Sequence, residues 1–110
     1  MSYAASWICL GIAIALEVAG TSFMKASQGL SKALPAVLLF TCYAGSLVLL
    51  SLALKRIDLG IAYAIWAGLG TALVAVIGVT VFGESMNAVK AIAISLIIGG
   101  VVLLNAAKTN

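Results

Sequence analysis

The 110-residue sequence has no histidine, one proline, two cysteines and three acidic residues. Without histidine there is no imidazole acid–base chemistry and no histidine metal site. The cysteines, Cys9 and Cys42, fall inside apolar runs and read as small hydrophobes, not as a disulfide framework. Charged residues make up only 8% of the chain, where soluble domains carry about a quarter. The net charge is +3, but its six Lys/Arg are dispersed and form no nucleic-acid patch. No cofactor motif and no metal-ligand cluster is evident, and nothing points to an enzyme.

Apolar residues are what the sequence has in abundance. They supply 65% of it, and the mean hydropathy is +1.28. A soluble chain this short cannot hide so much apolar surface, because small domains bury only about 60–70% of what unfolding exposes. The solvent is therefore lipid, and disorder is excluded.

A helix needs about 20 mostly apolar residues to cross the hydrocarbon core. Breaking the chain at its polar clusters predicts four such spans, 3–24, 33–54, 58–82 and 88–105. The first ends at Lys25, ahead of a Ser27-Gln28-Gly29 turn. Pro35 lies near the start of the second, where its missing N–H is harmless. Asp58 is placed to cap the third. The expected fold is an all-α integral membrane protein, a single four-helix domain over 1–110. Short connections make sequential helices antiparallel, and the absence of alternating β patterning argues against a barrel. The N-terminal run carries Glu17 and no preceding Lys or Arg, so it does not read as a cleaved signal peptide.

Lysine and arginine are evenly divided between the two ends of the bundle. Lys25, Lys32 and Lys90 fall on one side, and Lys55, Arg56 and Lys108 on the other. With no bias for the positive-inside rule to act on, the chain is expected to insert both ways and pair as an antiparallel dimer. Two copies would then supply the inverted symmetry that many transporters build from internal repeats. Four helices alone have little room to enclose a polar pathway.

Glu17 is the only ionisable side chain well inside a span; Asp58, Glu84 and every basic residue lie near span ends. An intramembrane carboxylate is costly and by default marks an ion or substrate pathway. A neutral, hydrogen-bonded Glu serving as helix glue is the alternative. Helical spacing places Leu10, Ala13, Ile14, Gly20, Thr21 and Met24 on or beside the Glu17 face. Such a face suits ligand approach and plain helix packing equally.

Tyr63 and Trp66 share a face of the third helix, with Trp66 roughly 10 Å below the helix start. Tyr43 is similarly deep in the second, with Ser46 close to one turn on. Tyr3 and Phe82 lie near span ends, as interfacial anchors do. Core packing accounts for any one aromatic. A set of aromatics with a lone acid is the usual physical solution for an organic cation. Gly68-Leu69-Gly70 suits either a bend or close helix contact. The small residues Ala93, Gly99 and Gly100 give the fourth helix the character of a dimerisation arm.

Taken together the chain resembles the small multidrug resistance family over essentially its whole length. The resemblance is carried by Leu16-Glu17-Val18-Ala19-Gly20-Thr21 with Met24-Lys25, by Cys42-Tyr43-Ala44-Gly45-Ser46, and by Gly60-Ile61-Ala62-Tyr63-Ala64-Ile65-Trp66-Ala67-Gly68. Phe82-Gly83-Glu84 and Gly99-Gly100-Val101 extend it. The resemblance implies a proton-coupled exporter of organic cations in a bacterial inner membrane, acting as an antiparallel homodimer or with a related chain as a heterodimer. Glu17 matches the carboxylate shared by proton and substrate. Tyr43, Tyr63 and Trp66 match the binding-site aromatics, and Ser46 a supporting polar position. Trp7 stands where multidrug members often carry a Tyr, and Ala93 where the fourth helix carries a Gly. Guanidinium exporters of the family typically carry a Trp one turn after the acid. Gly20 occupies that place here, which favours quaternary ammonium substrates over guanidinium compounds or polyamines. A passive channel and a regulatory membrane subunit are the readings from other classes.

Overall fold

The computed structural model describes residues 2–107, and Lys108 of the charge count lies outside them. Four helices follow in order: α1 (Tyr3–Ala26), α2 (Ala33–Ala53), α3 (Leu59–Thr80) and α4 (Ala88–Ala107). All four are long and apolar enough to cross a membrane, and no strand occurs among the described residues. This is a multi-pass membrane protein. The helix starts lie within one residue of the spans read from the sequence; α1 and α4 end two residues later than those spans, and α2 and α3 one and two residues earlier. α1 continues through Lys25, whose side chain reaches water from within the helix, whereas α3 stops short of the left-handed turn at Gly83.

The chain divides into two compact units, Met1–Asp58 and Leu59–Asn110. In the first, α1 begins at Ser2, whose Oγ accepts the Ala5 N–H at 3.0 Å. It ends at Ser27, which organises the turn into α2. The Ser27 hydroxyl donates to the Met24 carbonyl at 2.7 Å and accepts the Leu30 N–H at 3.0 Å. Its carbonyl oxygen accepts the N–H groups of Ser31 and Lys32. Reversal through Gln28, Gly29 and Leu30 uses three consecutive left-handed residues (φ 51°, 73° and 67°). Gly29 takes that conformation at no steric cost, whereas Gln28 and Leu30 hold it under strain.

Antiparallel contact between α1 and α2 is close at three levels. Ser46 donates to the Ala13 carbonyl, Leu16 packs on Gly45, and the Tyr43 ring lies over Gly20. Leu10, Ala13, Ile14, Val18, Leu39, Ala53 and Ile57 are buried. Hydroxyls that face away are satisfied within their own helices. Ser22 donates to the Val18 carbonyl and Thr41 to that of Val37, as lipid-facing polar groups must be.

In the second unit α3 closes on a glycine turn. Gly83 is left-handed (φ 69°), and the Glu84 N–H returns to the Gly78 carbonyl at 2.9 Å. This loop-back closes over seven residues, one more than a Schellman motif, and takes up a carbonyl left open at the helix end. The Glu84 carboxylate packs over Gly78, where a Cβ would collide with it. Asn87 opens α4 by accepting the Lys90 N–H at 2.9 Å. Of the two readings of Gly68, the structure supports close contact: the Val101 side chain of α4 occupies the place a Cβ would take. Nothing lies within 4 Å of the Cβ positions of Gly99 and Gly100, and no residue of α4 is buried.

Candidate functional site

Glu17 stands in the middle of α1, with its side chain half-buried. One helical turn on, Thr21 shares its face, and the Thr21 hydroxyl donates to Glu17 Oε1 at 2.9 Å. The same hydroxyl meets the Tyr43 phenol of α2 at 2.6 Å. A hydrogen-bonded row thus runs from the acid, through a threonine, to an aromatic side chain on the neighbouring helix.

Gly20 makes that row possible. A Cβ at this position would stand 2.5 Å from Tyr43 Cδ1 and 2.6 Å from Cε1, closer than any real contact. Only the absence of a side chain lets the phenol ring lie against the α1 backbone and bring its oxygen to Thr21. Sequence spacing put Gly20 and Thr21 beside the acid. The contact with Tyr43 depends on the register of two helices, which spacing does not contain.

Ser46 is buried, with 1% of its surface exposed, and its hydroxyl is spent on the Ala13 carbonyl at 2.7 Å. Leu10, Ala13 and Ile14 are buried as well, at 1%, 0% and 5% exposure. The structure therefore leaves Glu17, Thr21 and Tyr43 partly accessible beside the buried Leu10, Ala13, Ile14, Gly20 and Ser46.

On α3, Tyr63 and Trp66 form a tilted pair with ring centroids 5.6 Å apart. Tyr63 is exposed and Trp66 half-buried. The Trp66 indole N–H is buried without a hydrogen-bond partner among the described residues. At the start of α1, Trp7 meets Tyr3 edge-to-face at 6.0 Å, so the aromatic at position 7 belongs to a pair that sequence reading treated as two separate residues. No group of three or more His, Cys, Asp or Glu able to hold a metal occurs among the described residues. Both cysteines are free.

Chemically, the row provides one anionic or protonatable oxygen in a largely apolar span, with hydroxyl donors on one side of it. Such a carboxylate can bind a proton or neutralise a cation, and the two uses compete. Aromatic rings add attraction for organic cations.

Comparison with known proteins gives a match to the family model described as Small Multidrug Resistance protein over residues 5–97. Among similar proteins, "Uncharacterized membrane protein YvaE" of Bacillus subtilis is 49% identical, covering 91% of this chain and 84% of its own. "Nicotine metabolites export pump subunit NepA" of Paenarthrobacter nicotinovorans is 48% identical over 90% of this chain and 85% of its own. "Quaternary ammonium compound-resistance protein QacG" of a Staphylococcus species is 44% identical over 90% of this chain and 92% of its own.

Proposed function

The chain belongs to the small multidrug resistance family, and from that premise we propose that it is a multidrug efflux transporter, a proton-coupled antiporter of hydrophobic and quaternary ammonium cations. The observation that carries this reading is Glu17. It is the one Asp, Glu, Lys or Arg deep within a span, and its oxygen is held by Thr21. A single carboxylate that takes either a proton or a cation exchanges one for the other by competition. A cation entering from the cytoplasm favours the ionised form, and protonation on the opposite face weakens its hold and releases it. Tyr43, Tyr63 and Trp66 add ring attraction, with Trp7, Leu10, Ala13, Ile14, Gly20, Thr21 and Ser46 shaping the surroundings.

The working assembly in this reading is an antiparallel dimer in a bacterial inner membrane. It is supported by the equal division of Lys and Arg and by a fourth helix with no buried residue of its own. Pairing with a related chain is the heterodimeric variant; the relative NepA is itself named a pump subunit. Guanidinium compounds or polyamines are the second reading for substrate. The close seat of Tyr43 on Gly20 favours the first, since it leaves no room for a large side chain one turn after the acid.

The test is transport in proteoliposomes across a panel of organic cations, with and without a pH gradient. Quaternary ammonium uptake driven by the gradient, and lost in Glu17→Gln while assembly persists, is the expected result. Conductance without exchange would replace the antiporter by a channel. Transport retained in Glu17→Gln would remove the shared carboxylate.

A further inference from the structure

The geometry points to Thr21 as a positioning residue that couples the protonation state of Glu17 to the Tyr43 phenol. The inference rests on the proposed role of Glu17 and adds a second component to it. The Thr21 oxygen lies 2.9 Å from Glu17 Oε1 and 2.6 Å from Tyr43 Oη. A threonine hydroxyl carries one hydrogen and two lone pairs. While Glu17 is ionised it can only accept, so the Thr21 hydrogen is committed to it. Tyr43 must then donate its own hydrogen to Thr21. Direction in the row is fixed: phenol to threonine to carboxylate.

Protonating Glu17 permits the reverse. The carboxyl O–H donates to Thr21 Oγ1, the Thr21 hydrogen turns to the phenol oxygen, and the Tyr43 hydrogen is released to point away. One proton is gained at Glu17; otherwise only hydroxyl rotations occur, and no other bond is made or broken. A phenol that donates into a chain ending on an anion is polarised toward greater ring electron density, and one that accepts is polarised the other way. The ring on α2 would thus attract a cation most strongly when the acid on α1 is ionised.

Within the first unit no other charged side chain lies on the turns of α1 and α2 that carry the row. Within this unit α2 is the helix packed on α1, and its titratable groups are Tyr43 and Cys42; Ala33–Ala53 contains no Asp, Glu, Lys or Arg. On α1 itself the nearest charged residue is Lys25, two turns on, and Cys9 lies two turns before. Gly20 holds the phenol in place by giving its ring a seat on the backbone.

The experiment uses the full chain in lipid bicelles, with 13C at the tyrosine ζ and glutamate δ carbons. NMR is read across pH, alongside equilibrium binding of benzyltrimethylammonium. In the unsubstituted protein the Tyr43 resonance is expected to follow the Glu17 midpoint. Thr21→Val keeps the shape and removes the hydroxyl. Glu17 should still titrate there, with its midpoint and that of the binding profile raised by about one pH unit for the loss of a donor to the ionised form. The Tyr43 response should vanish. Thr21→Ser should restore both. Tyr43→Phe, which keeps the ring on Gly20, should give a smaller upward shift that disappears when Thr21→Val is already present. A Tyr43 resonance that ignores Glu17, or still follows it in Thr21→Val, overturns the coupling, as does an unmoved midpoint. Failure of the underlying function would look different: binding of the probe to the unsubstituted protein would not depend on pH.

Discussion

Ser46 of α2 donates its hydroxyl to the carbonyl oxygen of Ala13 on α1, 2.7 Å away and out of contact with solvent. In an α-helix the carbonyl of residue 13 is also the acceptor for the backbone N–H of residue 17. Ser46 therefore ties α2 to the carbonyl that also accepts the Glu17 backbone N–H, and is one of the contacts that set the register bringing Tyr43 to Thr21.

Removing that bond should loosen the pair without abolishing the fold. Ser46→Ala is expected to lower stability by roughly 0.6–1.7 kcal/mol, the range for interhelical hydrogen bonds in membranes. Reversible unfolding in mixed micelles measures it. A loss well above this range would mean that Ser46 holds more than one contact.

Cation affinity should rise with pH through the titration of Glu17 and level off above it. The sign follows from linkage: the cation binds the ionised form, protons compete for the same oxygen, and raising pH removes the competitor. Equilibrium binding of a permanently charged quaternary ammonium from about pH 5 to pH 9 checks it. A flat profile would exclude a shared carboxylate.

Trp66→Ala should weaken binding of aromatic and quaternary cations by about 2- to 30-fold, the equivalent of 0.5–2 kcal/mol of ring attraction. The Glu17 titration should be spared, because the indole carries no charge. Parallel binding and NMR titrations on the same preparation separate the two. A large change in the titration would make Trp66 part of the proton site.

Dual insertion predicts that a thiol placed in the C-terminal tail, in a background with Cys9→Ala and Cys42→Ala, is labelled from both faces of the membrane. Impermeant maleimide on intact and everted vesicles gives the result. Labelling from one face alone would leave the even Lys/Arg division without an antiparallel pair behind it.

The helices were readable in the sequence because lipid imposes one rule on every position of a span. Apolar stretches between Lys25, Lys55-Arg56 and the Glu84 turn have no other way to satisfy their backbones. Their ends were less legible. Ser27 terminates α1 through hydrogen bonds with a left-handed loop, and no hydropathy count registers that. At the site, Glu17 announces itself by charge, and Thr21 by lying one turn away. What spacing leaves out is everything that crosses between helices. Tyr43 reaching Thr21, Ser46 bound to Ala13 and Val101 seated on Gly68 each require a register set by many contacts at once.

The seat of Tyr43 on Gly20 also orders the routes by which this sequence can change. With the ring in place, any side chain at position 20 meets it at once, so a substitution there costs affinity and packing before it yields anything. A smaller residue at position 43 first opens the space, and a larger one at 20 can then fill it. The two positions form an epistatic pair with a preferred order. Selection for a differently shaped cation in this background should therefore register at 43 before it registers at 20.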